Sequence, residues 1–147
     1  MPKLRTMAKM PASEWLGFVE ASLLLAWARL LVLLVPLKHW RAQITDALLP
    51  KSELAALSDS EREAVKVVTR SVGRAVRNAP LELVCLPQAL AARWMLRRRG
   101  VATQLYIGTR RTAEEDREFH AWLKAGRTWV TGHCNEEEYV TFTRQPA

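Results

Sequence analysis

The chain has 147 residues, 49% of them hydrophobic and 25% charged, with a formal net charge of +7. That length supports one well-formed core and nothing in it requires two, so it is read as a single domain over residues 1–147, with a helical half at 1–80 and a helix plus antiparallel sheet at 81–147. Basic residues gather at 70–77, 93–99 and 110–111, a surface suited to nucleic acid, an acidic membrane face or an acidic peptide, or one that is simply solvated. No aromatic-interleaved RNA motif, zinc-finger spacing or helix-turn-helix signal accompanies the charge, so no nucleic-acid partner is expected and an acidic peptide or partner is the reading to test first.

In chain order, residues 1–11 are short and basic and lead into a helix rather than a small-residue cleavage site, so no secretory signal is read. A cytoplasmic, reducing setting with Cys85 and Cys134 as free thiols is the expectation. Ser13 can cap a helix that begins at Glu14 and runs to Val35 before Pro36, interrupted among charges only by Glu20 and Arg29. This stretch reaches membrane-spanning length, but Arg29 near its middle would be costly in lipid. The preferred reading is a buried or partner-docked helix without stable membrane insertion; a membrane-associated helical adaptor using residues 21–37 is the rival. Residues 38–49 make a second helix ending at Pro50. Ser58-Asp59-Ser60-Glu61 fits a capping box that opens a third, with Ala64, Val68, Val72, Ala75 and Ala79 at helical spacing until Pro80.

A fourth helix is bracketed near residues 85–99: Pro87 is tolerated in a first turn, Arg97 to Arg99 complement the negative end of the dipole, and Gly100 suits the position past the end. Cys85 stands at its mouth, where the positive end of the dipole and an adjacent imidazolium would favour thiolate; the bland alternative is a structural cysteine. The sheet follows over 101–142, with Glu114-Glu115-Asp116 as a solvated loop between two strands. In Glu118 to Lys124, Phe119, Ala121 and Leu123 share one face while His120 and Trp122 share the other. Ala125-Gly126 signals a hairpin and Arg127 to Gly132 reads as the return strand. A helix-capping cysteine followed by a strand-borne His-Ala-Trp is the order in which papain-like and transglutaminase-like enzymes present a thiol nucleophile and its base.

Cys85-Leu86-Pro87-Gln88-Ala89-Leu90, Leu96-Arg97-Arg98-Arg99-Gly100-Val101, Leu105-Tyr106-Ile107-Gly108, His120-Ala121-Trp122-Leu123 and Val130-Thr131-Gly132 together resemble the leader peptidase of lasso-peptide biosynthesis, the transglutaminase-like B protein in its split form. The likeness runs over about residues 23–142 and is densest at 80–132. It implies an α+β, transglutaminase-like (papain-like) fold and a cysteine peptidase that cuts the leader from a ribosomally made precursor peptide, with Cys85 as nucleophile and His120 as base. It also implies a lasso cyclase partner, asparagine synthetase-like, that joins the freed amine to a side-chain carboxylate. Fused members of the family carry a winged-helix-type domain that grips the leader; no such strand-rich pattern is read here, so a separate RiPP recognition element protein is expected to deliver the precursor. A non-catalytic scaffold with the family fold remains the alternative.

The family's third member is an Asp about a dozen residues after the His, where this chain has Thr131-Gly132, followed by His133-Cys134-Asn135-Glu136. The third group must accept a hydrogen bond from the imidazole N–H that faces away from sulfur. Asn135 is the residue named for that role, with charged Glu136, a backbone carbonyl or a bare dyad left open. The Cys85 backbone N–H is the natural oxyanion donor, and Gln88, one turn on, is given a surface or packing role. Cys85, His120, His133 and Cys134 make a Cys₂His₂ tally, but adjacent His133-Cys134 is poor geometry for one zinc; no metal and no cofactor are expected.

Overall fold

The computed structural model describes residues 10–40, 56–80 and 84–141. Helix α1 (Ala12–Leu34) is capped by Pro11, whose carbonyl accepts from Glu14 and Trp15 at 3.0 and 3.1 Å, so Ser13 lies inside the first turn instead of capping it. The short α2 (Leu37–Trp40) follows Pro36, and the Trp40 indole N–H donates to the Val35 carbonyl at 2.9 Å. The remainder of the helix expected at 38–49 falls outside the described residues.

Helix α3 (Asp59–Asn78) opens with both halves of the capping box: the Glu61 N–H donates to Ser58 Oγ and the Ser58 N–H to Glu61 Oε2. Its buried face is Val65, Val68, Ser71, Val72 and Ala75, while Ala64 and Ala79 are only partly covered. Ser71 is buried because α1 crosses there at Gly17: a Cβ at Gly17 would stand 2.5 Å from Ser71 Oγ, so only glycine permits the approach.

Helix α4 (Cys85–Arg98) ends in a Schellman turn, with Gly100 at φ 73°, Gly100 N–H to Arg97 O at 3.1 Å and Val101 N–H to Leu96 O at 3.0 Å. Pro87, Ala89, Leu90, Ala91, Ala92, Met95 and Leu96 are all buried, more than one helical face. The helix is covered on both sides, by α1 and α3 and by strands β2 and β3 of the sheet, and small alanines let those layers close on it.

The sheet contains β1 (Gln104–Arg111), β2 (Arg117–Ala125), β3 (Thr128–Thr131) and β4 (Val140–Thr141), in the spatial order β3-β2-β1-β4 with every pairing antiparallel. The β1–β2 register sets Tyr106 opposite Trp122 and Gly108 opposite His120. Glu114 to Asp116 form the solvated turn between those strands, and Gly126 makes the β2–β3 turn at φ 55°. Helices followed by an antiparallel sheet make the α+β architecture expected from the sequence.

Candidate active site

Two elements meet at Cys85. The thiol is the first residue of α4, at the end where helical N–H groups lack intrahelical partners. Strand β3 pairs with β2 only from Leu123 to Ala125, so the part of β2 that bears His120 and Ala121 lies beyond the end of β3. The first turn of α4 comes up there, and the Ala121 peptide N–H donates to Cys85 Sγ at 3.3 Å. A backbone donor is thereby aimed at the sulfur by the residue next to His120. Among the described residues no hydrogen bond joins the thiol directly to the imidazole.

The imidazole is held from its far side. His120 Nε2 lies 2.8 Å from the Gly132 carbonyl oxygen. A carbonyl can only accept, so the proton sits on Nε2 and Nδ1 is the basic nitrogen. Gly132 can present that carbonyl because it is glycine: its φ is +71°, and a Cβ there would overlap the Ala121 carbonyl oxygen and press on Trp122. The position twelve residues after the histidine, where the family resemblance leads one to look for an Asp, is thus filled by a glycine whose main chain supplies the acceptor.

Asn135 does not make that contact. Its side chain accepts from the Glu137 N–H at 3.4 Å and donates to Glu138 at 3.1 Å, capping the 3₁₀ turn Glu136–Glu138 from an exposed position. The hydrogen bond to the ring suggested for Asn135 on sequence grounds is therefore made by the Gly132 carbonyl, the main-chain alternative left open beside it, because the chain turns at Gly132 before Asn135 reaches the ring. Glu136 is also elsewhere: it accepts from the Trp122 indole N–H at 2.9 Å and from Lys124 Nζ at 2.8 Å.

These contacts build a wall on the His120 face of the sheet. Trp122 is fully buried, stacks on Tyr106 with ring centres 5.6 Å apart, and lies 6.0 Å from the His120 ring at an interplanar angle of 24°. Tyr139 closes the other side, 5.4 Å from His120 and 5.8 Å from Trp122. Gly108, directly across from His120, leaves room for both: a Cβ there would come within 3.1 Å of Tyr139 and 3.2 Å of Trp122. Burial and the neighbouring Glu136 carboxylate raise the Tyr106 pKa, and burial first, then nearby Glu118, outweighs Arg110 in raising that of Tyr139. The Glu118 and Glu138 carboxylates that bond Arg110 hold its guanidinium in the charged form, and this cation sits 5.2 Å over the Tyr139 ring.

Cys134, like Cys85, is a free thiol; burial first, and then the Glu136 carboxylate, raise its pKa. His133 turns instead onto the Trp129 ring, 4.6 Å away. Among the described residues no group of three or more His, Cys, Asp or Glu side chains converges as metal ligands would.

A thiol at a helix mouth, set against a strand whose histidine is held by a neighbouring main-chain carbonyl, in a helix-then-sheet α+β chain, defines a transglutaminase-like cysteine site. A family model described as the transglutaminase-like superfamily matches residues 28–144, and the chain belongs to that superfamily. Its members are typically cysteine peptidases or transferases. Neither the curated proteins nor the solved structures yield a match.

Proposed function

We propose that the chain is a cysteine peptidase that removes the leader from a lasso-peptide precursor. The observation that carries this reading is the Ala121 N–H to Cys85 Sγ contact, which sets the thiol of α4 beside the residue next to the histidine of β2. The motifs shared with the split B proteins supply the substrate class. In the proposed reaction the Cys85 thiolate attacks the carbonyl at the leader–core junction, while the Cys85 backbone N–H, free of any intrahelical partner, offers a donor to the developing oxyanion. The imidazolium gives its Nδ1 proton to the departing amine, which leaves a thioester on Cys85. Water then attacks the thioester with Nδ1 as base, the leader leaves as a carboxylate and the thiol is restored. Through both steps the Gly132 carbonyl keeps Nε2 protonated and the ring plane fixed. A separate recognition element protein would deliver the precursor, an asparagine synthetase-like cyclase would consume the freed amine, and the setting would be cytoplasmic.

The test uses a co-encoded precursor with and without its recognition protein, followed by mass spectrometry. Rapid cleavage is expected only with the recognition protein present, and Cys85→Ala and His120→Ala should each abolish it while circular dichroism stays unchanged. Full activity in Cys85→Ala would overturn the reading. One observation favours a second reading, a non-catalytic scaffold for the maturation complex: thiol and imidazole share no direct hydrogen bond among the described residues. Failure of a thiol-directed electrophile to label Cys85 in a His120-dependent way would support the scaffold.

A further inference from the structure

We propose that the outward face of α1 is a peripheral membrane-contact surface that lies in the plane of an anionic phospholipid bilayer. Leu16, Val19, Leu23, Trp27, Leu30 and Leu34 follow one another at three- and four-residue steps, so they form one stripe, and each is between 44 and 74% exposed. The stripe spans about 27 Å at the helical rise. A cavity of about 380 Å³ widens it on one side, lined mainly by apolar atoms of Phe18, Leu25, Ala26 and Ala79, with Arg29 at its wall.

Charge decides the occupant. The two carboxylates of α1 are taken by arginines: Glu14 by Arg74 at 3.0 Å, and Glu20 by Arg98 and Arg99 at 3.2 and 2.7 Å. Arg29 has no ion-pair or hydrogen-bond partner among the described residues, and Lys38 is exposed beside exposed Leu37 just past the helix. A long apolar stripe with its carboxylates neutralised, Arg29 at the wall of the adjoining cavity and Lys38 just past its end, matches the boundary between lipid headgroups and acyl chains. Arg29 and Lys38 can extend from an apolar stem to phosphate.

By length and hydropathy α1 could cross a bilayer, yet it is anchored to the domain by Gly17, Ala21, Leu25 and Ala28 and by the Glu14 and Glu20 ion pairs. Crossing would strip those contacts away, so the helix lies on the surface. This inference does not depend on the peptidase reading.

The test is flotation of the full chain with vesicles of phosphatidylcholine alone and of equimolar phosphatidylcholine and phosphatidylglycerol. The wild type is expected to float with the anionic vesicles at low salt and to be released by high salt. Leu23→Glu with Trp27→Glu should weaken partitioning on the order of tenfold or more, and Arg29→Glu with Lys38→Glu should abolish the preference for anionic lipid. Should the first pair unfold the chain, Leu23→Gln alone is expected to weaken flotation in the same direction. Absence of flotation, equal flotation with both vesicles, or indifference to the stripe substitutions would each overturn the proposal. So would lipid-free dimerisation removed by the same substitutions, which would make a second copy the occupant.

Discussion

At the residue scale the chemistry turns on what holds His120. If the Gly132 carbonyl orients the ring, Gly132→Ala should be costly twice over. The φ of +71° and the overlap with the Ala121 carbonyl predict a loss of about 1–3 kcal/mol in stability, read as a lowered melting temperature. Precursor cleavage should fall more steeply than that loss explains, because a backbone shift at residue 132 moves the carbonyl that holds the imidazole. Asn135→Ala should do little: an exposed 3₁₀ cap is worth under about 1 kcal/mol, and cleavage should be unchanged. A hundredfold or greater loss of cleavage in Asn135→Ala would reinstate the carboxamide as orienter. This part of the site was the least legible in the sequence. A main-chain carbonyl has no residue signature, and the one available sign was a glycine in the place where the family resemblance leads one to expect an Asp.

Legibility improves at the element scale, because caps and turns are written in local chemistry. Ser58 and Glu61, Gly100 and Gly126 each mark a boundary that the structure keeps, since each solves a problem for the few residues beside it. The start of α1 differs from the expected Ser13 cap for a related reason: Ser13 is a good cap, but Pro11 offers a carbonyl that serves the first turn from two residues earlier. The burial of Ser71 was not legible at all, because its cause is Gly17, 54 positions away across a helix crossing. Removing the cap from α3 offers a direct check. Ser58→Ala should cost about 1 kcal/mol, a fall in melting temperature of roughly 3 °C. An unchanged melting temperature would mean that packing of Val65, Val68 and Val72 alone fixes where this helix begins.

For the whole molecule, the titrating groups around the Trp122 wall make stability depend on pH on the alkaline side. Cys134, Tyr106 and Tyr139 all have raised pKa values, chiefly through burial, from ordinary values of 9.0 for the thiol and 10.0 for the phenols. The unfolded chain therefore releases these protons first and binds fewer of them than the folded chain, so stability falls as pH rises. Stability should be level near neutrality with respect to these groups and decline as pH climbs through 9 and 10; thermal melts across that range check it, and a rise would reverse the sign. The order of helical half, Cys85-bearing helix and sheet was readable because periodicity and turns run along the chain, whereas the return of β4 to β1 is a long-range pairing with no local mark. What joins these levels is the contact between the mouth of α4 and the stretch of β2 that lies beyond the end of β3, and on the proposed function it is Cys85 that reacts. The most direct measurement is the rate of iodoacetamide alkylation at Cys85 and Cys134, resolved by peptide mass spectrometry at neutral pH in the wild type and in His120→Ala. Cys85 should react faster than Cys134 and slow by about tenfold or more when the imidazole is removed; equal rates at the two cysteines, or a Cys85 rate indifferent to His120, would contradict the account.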